Sequence, residues 1–553
     1  MTPEQLAEKI LLALTALVDD GALTVEGGLP GELKVERPKN PEHGDYATNI
    51  AMQLGKRSSL GNPRKLAELL AAKLQDDDAI TAVEIAGPGF INIRVAADAQ
   101  GKIAAQIVEA GPAYGSSDSL KGQPINLEFI SANPTGPLHL GHTRWAAVGD
   151  ALARVLIAAG AKVTREFYVN DRGAQMDKFG ASLMASANGV PVPEDGYHGE
   201  YINDLAARIV AEVPGIKELP EAEQSVAFRE AGYERQLKEQ QDQLAQFRTE
   251  FDVWMSERSL HEQDGVGHAI EKLREQGHLY EADDALWMRT TDFTDDKDRV
   301  LIRTNGDPTY FASDAAYYVN KRERGFEVCI YLLGADHHGY VNRLKAIAAC
   351  AGDDPEHNIE ILIGQLVKIL KNGEEMKLSK RAGTIVTLAE LVEESGVDPL
   401  RYTLCRYPVD SPLTLDIEEM TRQVSENPVY YVQYAHARLA SILRNADELG
   451  IKLDEFEPGL LSHEKEGDLL RALADFPRVV ATAAELREPH RVARYLEDTA
   501  SAFHKFYDVC RVLPRGDEEI EPVHKARLTL VNATKTVLAN GLDLLGVSAP
   551  ERM

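Results

Sequence analysis

The sequence predicts three domains: a small α+β N-terminal domain, an α/β domain with a Rossmann-like, doubly wound parallel sheet, and an all-α C-terminal helical bundle. Three observations predict this organisation. Strand-like and helix-like segments alternate from about residue 120, which is typical of a parallel sheet. A linker rich in glycine, proline and serine precedes them at residues 111–117. Beyond about residue 415, apolar residues recur almost wholly at helical spacing.

The N-terminal domain spans residues 1–112 in this interpretation. It begins with four apolar residues at the spacing of an amphipathic helix, Leu6, Ile10, Leu14 and Leu17. Acidic residues flank this helix, whereas a secretory signal has a basic start and an uninterrupted apolar core. A strand is predicted at residues 91–95, after a turn that contains glycine and proline.

The central domain spans residues 113–415 and the helical C-terminal domain spans 416–553. Strands are predicted at 125–129, 163–169, 328–333 and 359–363, and helices at 141–159 and 342–351. A strand, a helix and a second strand in this order form the building block of a parallel sheet. Charge-rich residues from about 185 to 290 interrupt the alternation, so we interpret them as an insertion with a long helix at 224–251.

Composition excludes several classes of protein. The net charge of −28 repels nucleic acid as a whole, so an RNA partner requires basic residues gathered on one surface. No apolar stretch is long enough to span a membrane. The cysteines lack a CxxC pair, which disfavours a zinc site or a disulfide framework and fits a reducing cytoplasm; they are Cys329, Cys350, Cys405 and Cys510.

Two histidines stand three residues apart at a predicted strand-to-helix junction, in the segment His139-Leu140-Gly141-His142. Free backbone N–H groups and the helix dipole favour an anion at such a junction. Both imidazoles lie on one side of the first turn and can reach one triphosphate. Gly141 leaves room for a flat base against the backbone. For the motif alone, two ordinary capping histidines are an equally good interpretation.

A basic segment follows the last predicted strand and a turn, and it contains Lys377, Ser379, Lys380 and Arg381. Its cations and hydroxyl suit a loop that closes over phosphates. Taken alone, such a segment is more often a solvated basic turn. Both motifs follow strands of the predicted sheet, and doubly wound folds bind ligands at the carboxyl ends of their strands. The pair therefore predicts a protein that uses ATP.

The two motifs resemble HIGH and KMSKS, the paired motifs of class I aminoacyl-tRNA synthetases. They read HLGH at 139–142 and KLSKR at 377–381, where Arg381 departs from the final serine. Within this class the chain resembles the arginyl-tRNA synthetases over essentially its full length. The segments that carry this resemblance are 128–134, 168–175, 308–314, 334–340, 430–438 and 550–553. Cysteine-specific synthetases build their pocket around zinc, and the cysteine spacing here argues against them.

The resemblance implies an arginine–tRNA ligase that uses ATP and Mg²⁺ to form arginyl-adenylate and then charges tRNA(Arg). The implied arginine-binding residues are Glu128, Asn133, Tyr310 and Asp314. Two carboxylates among them suit a guanidinium, which favours planar, bidentate partners. From the residues alone, Asp314 is more simply a solvent-facing helix cap and Glu128 a strand-edge carboxylate.

The resemblance also implies which residues act on ATP. It assigns positioning and charge neutralisation at the phosphates to His139, His142, Lys377 and Lys380. Gly141, Ser379 and Asp336 are further implied contacts of ATP, although Asp336 can equally cap the following helix. The attacking arginine carboxylate is already ionised, so the first step requires no general base.

For tRNA(Arg), the resemblance implies that the N-terminal domain contacts the tRNA elbow and the C-terminal bundle binds the anticodon. The implied contacts are Phe90, Asn92, Tyr431, Tyr434 and Met553. Two tyrosines one helical turn apart can stack on bases, but such a pair is as often part of a core. Phe90 and Asn92 can equally be ordinary strand residues. The family leans towards monomers, and the cysteine usage predicts a cytoplasmic location.

Two other functions remain open at this point. One is a paralogue without catalytic activity that binds tRNA as a regulator, although such a protein has no reason to keep both motifs intact. The other is a small-molecule nucleotidyltransferase, which also uses an HxGH motif. The N-terminal domain and the long helical C-terminal domain are superfluous for that second function.

Overall fold

The computed structural model describes residues 1–376 and 385–553. Its N-terminal part contains the elements α1 (Pro3–Asp19), β1 (Tyr46–Thr48), α2 (Ile50–Leu54), α3 (Pro63–Leu74), β2 (Ile80–Ala86), β3 (Phe90–Val95) and α4 (Ala97–Ala110). The three strands form an antiparallel sheet in the order β1-β3-β2. The predicted amphipathic helix is confirmed, because Leu6, Ile10 and Leu14 are buried in a core formed only by residues 1–95.

The central part is built on a parallel sheet. Its first elements are β4 (Pro124–Glu128), α5 (Leu140–Ala158), β5 (Lys162–Val169), α6 (Ala174–Ala187), α7 (Glu200–Glu212), α8 (Glu221–Gln246), β6 (Val253–Ser256), α9 (Glu257–Glu262) and α10 (Gly265–Glu275). The next are β7 (Leu279–Ala282), β8 (Ala285–Met288), β9 (Arg299–Ile302), α11 (Tyr310–Glu323), β10 (Val328–Gly334), α12 (Val341–Cys350) and β11 (Ile359–Gly364). Strands β11-β10-β4-β5-β6 form the sheet in that order, and all are parallel. The doubly wound sheet and its four predicted strands are confirmed.

Strand β6 was not predicted from the sequence. It lies inside the segment that we interpreted as an insertion. It pairs with β5 and extends the central sheet, so the predicted interruption of the sheet from about 185 to 290 is wrong at this point. The predicted helix at 224–251 is also too long, since α8 ends at Gln246. Phe251 keeps the apolar spacing from outside the helix, where its ring lies 4.4 Å from that of Phe129. An antiparallel sheet of β7, β8 and β9 follows.

A second small sheet and a set of helices complete the chain. The elements are β12 (Val367–Lys371), β13 (Glu374–Glu375), α13 (Leu388–Ser395), α14 (Val397–Cys405), β14 (Leu413–Asp416) and α15 (Ile417–Thr421), then α16 (Pro428–Glu448), α17 (Glu464–Ala474), α18 (Phe476–Glu485), α19 (His490–Val509) and α20 (Pro522–Leu544). The helical character predicted beyond about residue 415 is confirmed. No helix within residues 1–376 and 385–553 is both long and apolar enough to cross a membrane.

Helix α5 packs closely on the end of β4. At Gly149 a Cβ atom would lie 2.4 Å from the Phe129 ring, so only glycine permits this approach. The same helix carries Asp150, whose carboxylate is fully buried and accepts a hydrogen bond of 2.7 Å from the buried Arg401. Arg401 also donates to the carbonyl oxygens of Phe247 and Leu545. One guanidinium therefore joins α5, α14, the chain after α8 and the chain after α20.

We predict that Arg401→Met lowers the thermal unfolding midpoint substantially. It removes one partner of a fully buried ion pair and takes the Arg401 hydrogen bond away from four backbone or hydroxyl acceptors, a change that costs about 3–5 kcal/mol in such sites. Differential scanning calorimetry measures the effect. Arg406→Met is the matched control, since its ion pair with Glu497 is partly exposed and its loss is less costly. Equal shifts for the two variants would contradict the central role of Arg401.

Candidate active site

A cavity of about 740 Å³ lies at the carboxyl edge of β4, β10 and β11, where doubly wound sheets bind ligands. Its wall combines the turn after β4, the first turn of α5, one face of α11 and the segments after β10 and β11. Residues that line it include Glu128, Ser131, His139, Gly141, His142, Tyr168, Asp314, Tyr317, Tyr331, Asp336 and Ile385. The cavity therefore brings together the histidine motif and two of the predicted carboxylates.

The two histidines hold each other at the start of α5. His139 Nδ1 accepts a hydrogen bond from the Gly141 N–H at 3.1 Å, and His142 Nδ1 accepts one from the His139 N–H at 3.2 Å. The ring centroids are 4.0 Å apart. Because each Nδ1 accepts, the ring proton of each neutral imidazole lies on Nε2, which can donate to a ligand. The predicted placement of both imidazoles on the first helical turn is confirmed.

Burial decides the charge of these imidazoles. Desolvation lowers the pKa of His139, and desolvation together with the neighbouring His139 lowers the pKa of His142 to about 3. Both rings are therefore neutral at pH 7. A neutral imidazole contributes to an anion site by hydrogen bonding, and the predicted charge neutralisation at the phosphates stays a prediction.

The chain that follows the basic segment returns to the histidine turn. The Leu140 N–H donates to the Val386 carbonyl oxygen at 2.8 Å, and His139 forms an antiparallel bridge with Thr387. Ile385 lines the cavity. The predicted residues Lys377, Ser379 and Lys380 lie outside the described residues. The structure thus joins residues 385–387, immediately after the second motif, to the first motif.

The opposite end of the cavity is acidic. Asp314 lies on α11, and burial, followed by the charges of Glu128 and Glu257, raises its pKa to about 7. Burial also raises the pKa of Glu257 to about 7. Two further carboxylates close enough to perturb Asp314 mark a site where a cationic ligand relieves repulsion. Arg343 acts in the opposite direction and lowers the pKa of Asp314.

Glu128 is already hydrogen-bonded through both oxygens. Ser131 Oγ donates to Oε1 at 2.9 Å, and the Lys321 ammonium donates to Oε2 at 2.6 Å. Ser131 has a positive φ of 48°, and the preceding Ile130 has a φ of 71°, which is unusual for a β-branched residue. This turn directs the Ser131 hydroxyl to Glu128, and the hydroxyl accepts a bond from the Tyr168 N–H at 3.1 Å. Strained backbone of this kind is concentrated at functional sites.

Three other predicted residues lie around the cavity with different exposure. Asp336 lines it and is exposed. Asn133 is exposed and is not among the lining residues, and its carbonyl oxygen accepts a bond of 3.0 Å from Gln240. Tyr310 begins α11, one turn before Asp314, and is 75% exposed outside the lining. The cavity thus unites Glu128 and Asp314 but not Asn133 and Tyr310.

The predicted tRNA contacts differ in accessibility. Phe90 is exposed at the start of β3, whereas Asn92 is buried on the middle strand of the N-terminal sheet. Tyr434 is exposed on α16, and Tyr431 is half-buried with its ring 5.1 Å from that of His504. Met553 is exposed. Four of the five residues therefore offer surface to a partner, and burial disfavours a direct contact by Asn92.

Several residues in or beside the cavity were not predicted from the sequence. Lys321 and Tyr317 share a face of α11 with Asp314, at spacings of seven and three residues, and this spacing was the available signal. Arg144 donates to the carbonyl oxygens of Gln365, Pro408 and Ser411 and so supports the segment between β11 and β12. No signal in the sequence links Arg144 to carbonyl groups more than 200 positions away.

Models of known protein families match most of the chain. The model of the "Arginyl tRNA synthetase N terminal domain" matches residues 4–95. The model of the "tRNA synthetases class I (R), catalytic domain" matches residues 105–192 and 219–403. The model of the "DALR anticodon binding domain" matches residues 432–553.

Individual proteins are similar over their whole length. The chain is 56% identical to an arginine–tRNA ligase of Kineococcus radiotolerans and 55% identical to one of Paenarthrobacter aurescens, with 100% of each chain covered. The structure of Thermus thermophilus arginyl-tRNA synthetase is similar at a TM-score of 0.76, with 22% identity and full coverage of both chains. The last similarity supports the fold.

We predict that Asp314→Asn raises the thermal unfolding midpoint more at pH 8.5 than at pH 5. A carboxyl group whose pKa is raised in the folded state contributes stability at low pH, and that stability is lost as the pH rises through about 7. Asparagine does not ionise and avoids this loss, which is on the order of a few kcal/mol. Scanning calorimetry of both proteins at the two pH values measures the difference. A midpoint difference that does not change with pH would contradict the raised pKa.

Proposed function

This chain belongs to the arginyl-tRNA synthetase family and is an arginine–tRNA ligase, and we propose that the cavity at the carboxyl edge of the central sheet is where its arginine and ATP react. The observation that supports this location is the contrast between the two ends of the cavity. Neutral imidazole donors lie at one end and carboxylates at the other. A phosphate chain suits the first environment and a guanidinium suits the second.

Asp314 is the proposed carboxylate partner of the guanidinium. It lines the cavity, and burial, followed by the negative charges of Glu128 and Glu257, raises its pKa, so the carboxylate gains from pairing with an arginine side chain. Glu128 is proposed to contribute from β4 through the lone pairs that Ser131 and Lys321 leave free. The site is proposed to select arginine over lysine, because the ammonium group of lysine cannot form the planar, bidentate hydrogen bonds that a guanidinium forms with carboxylates.

Asn133 and Tyr310 are proposed to complete the arginine site from its rim. Asn133 lies in the turn that leads from β4 to the histidine motif, and Tyr310 precedes Asp314 by one helical turn. Both side chains are exposed, so we propose that they contact the substrate from the solvent side.

ATP is proposed to bind along the first turn of α5. His139 and His142 donate from Nε2 to its phosphates, and Gly141 presents backbone to the base. At Gly141 a Cβ atom would lie 3.0 Å from His139 Cε1, so a side chain there would crowd the imidazole. We assign the ribose to Asp336, and the cationic contacts to Lys377 and Lys380 with Ser379.

Mg²⁺ is proposed to arrive with the nucleotide. Within residues 1–376 and 385–553, no three His, Cys, Asp or Glu side chains are grouped so as to hold a metal ion. Mg²⁺ commonly binds substrate phosphates and water with few protein ligands, which suits such a site.

In the proposed reaction, a carboxylate oxygen of arginine attacks the α-phosphorus of ATP. The bond from this phosphorus to the bridging oxygen breaks, and pyrophosphate leaves with the electron pair. A terminal ribose hydroxyl of tRNA(Arg) then attacks the arginyl carbonyl carbon, loses its proton, and displaces AMP. Because His139 and His142 are neutral hydrogen-bond donors, their proposed role in the first step is to position the phosphates and not to transfer a proton.

The remaining domains are proposed to bind tRNA(Arg). We assign elbow contacts to residues 1–112 through Phe90, whereas the burial of Asn92 on the middle strand disfavours a direct contact by that residue. We assign the anticodon to residues 416–553, where Tyr434 offers an exposed ring for stacking and Tyr431 supports it. Met553 is exposed and is proposed as a further contact of the tRNA. The catalytic domain is 113–415, and we propose a cytoplasmic monomer.

We predict that the purified protein charges tRNA(Arg) with radiolabelled arginine in the presence of ATP, and that Asp314→Asn raises the KM for arginine far more than the KM for ATP. Loss of a charge-assisted contact at one ligand leaves the other ligand's contacts in place. Steady-state aminoacylation measures both constants. Absence of charging by the wild-type protein would favour a regulatory paralogue, and equal changes in both KM values would contradict a guanidinium role for Asp314.

We also predict that the KM for arginine falls as the pH rises from 6 to 8. Arginine binding favours ionised Asp314, and below pH about 7 a proton must first leave this carboxyl group. The effect is at most about tenfold per pH unit. Asp314→Asn should flatten the profile. The KM for ATP in the same assays is an internal control, because the pKa of His142 lies far below this range.

A further inference from the structure

We propose that Lys321 is a positioning residue for arginine, because its ammonium group holds the Glu128 carboxylate in place at the base of the cavity and compensates its charge. The inference rests on the proposed arginine site and adds a residue to it. Lys321 does not line the cavity itself, so it acts through Glu128.

The surroundings of Lys321 are unusual for a lysine. Its side chain is fully buried, and Nζ lies 2.6 Å from Glu128 Oε2. The ammonium also lies over two aromatic faces, 3.8 Å from the ring centroid of Tyr331 and 4.4 Å from that of Tyr317. Lysine is rarely buried unless it is paired, since burial of an unpaired ammonium is costly. One carboxylate and two ring faces provide the compensation here.

Both oxygens of Glu128 are thereby fixed. Lys321 holds Oε2 from α11, and Ser131 holds Oε1 from the strained turn after β4. The carboxylate thus has a defined orientation before any ligand binds. A carboxylate that is oriented in advance loses less entropy when a guanidinium binds beside it.

Lys321 also sets the charge of the site. The charges of Glu128 and Glu257 both act on Asp314, and Arg343 acts on it in the opposite direction. Glu257 in turn is influenced by Arg172 and Asp171. Lys321 compensates Glu128, so the excess negative charge rests on Asp314 and Glu257. Without Lys321, Glu128 becomes an uncompensated buried carboxylate beside Asp314. One of the two carboxyl groups then retains its proton to a higher pH than in the wild-type protein and attracts a cation less strongly at neutral pH.

A structural role alone would also explain a buried ion pair between α11 and β4, so the test must separate binding from folding. The variants are Lys321→Met, Lys321→Arg, Glu128→Gln and the double variant Lys321→Met with Glu128→Gln. Aminoacylation kinetics give KM for arginine, KM for ATP and kcat at several pH values, and calorimetry reports stability. Lys345→Met, which removes a partly exposed lysine on α12, is the matched control.

We expect Lys321→Met to raise the KM for arginine about tenfold at pH 7, with the KM for ATP within about twofold, a difference of roughly 1.4 kcal/mol in apparent binding. The pH dependence of its KM for arginine should shift to higher pH than in the wild-type protein, because uncompensated Glu128 raises the pKa of Asp314 further. Lys321→Arg keeps the charge and should recover most of the affinity. In the Glu128→Gln background, Lys321→Met should add less than about twofold.

Several results would overturn the inference. These are an equal rise in both KM values, an unchanged arginine profile with pH, or the same effect of Lys321→Met with and without Glu128. If Lys321→Met does not fold, Lys321→Arg and the double variant decide, because the double variant buries no uncompensated charge. Failure of the proposed arginine site can be told apart from failure of the Lys321 inference. If the arginine site is wrong, Asp314→Asn leaves the KM for arginine unchanged.

Discussion

The buried ion pair of Asp150 and Arg401 holds the central part of the protein in one arrangement. A guanidinium without access to water must place its N–H groups on acceptors, and Arg401 finds them on three separate stretches of chain. Asp150 belongs to α5, the helix whose first turn carries the histidine motif. Movement of α5 relative to α14 would leave buried charges unpaired, which is costly. The geometry of the cavity therefore depends on an interaction between two residues that do not line it.

The two ends of the cavity use burial in opposite ways. At the histidine end, desolvation keeps both imidazoles neutral and turns them into oriented donors. At the acidic end, desolvation and mutual repulsion raise the pKa of Asp314, so the site gains most from a ligand that brings its own positive charge. A zwitterionic amino acid with a cationic side chain and a polyphosphate can thus occupy one cavity without competing for the same groups.

Much of the fold was predictable because buried apolar residues recur along the sequence with the period of the helix or strand that carries them. The strands of the central sheet and the helix at the N-terminus follow from apolar spacing, and the motifs follow from their places between these elements. Strand β6 was missed because it has only four half-buried residues at a sheet edge, within a charged region. Neither the neutrality of His142 nor the burial of Lys321 is visible in sequence, because both depend on contacts between distant segments. The exposure of Asn133 and Tyr310 could not be predicted either, because it depends on where the segments that carry them lie in the folded chain.

The partners of Asp150 have a consequence for synthesis of the chain. Arg401 follows Asp150 by 251 positions, and the carbonyl group of Leu545 that Arg401 also requires comes 144 positions later. The N-terminal domain has a core complete by residue 95, so it can fold early during translation. Arg401 instead lacks the Leu545 carbonyl group that it requires until the segment after α20 has emerged from the ribosome. During much of translation, a folded N-terminal domain is therefore joined to a central domain whose packing is incomplete.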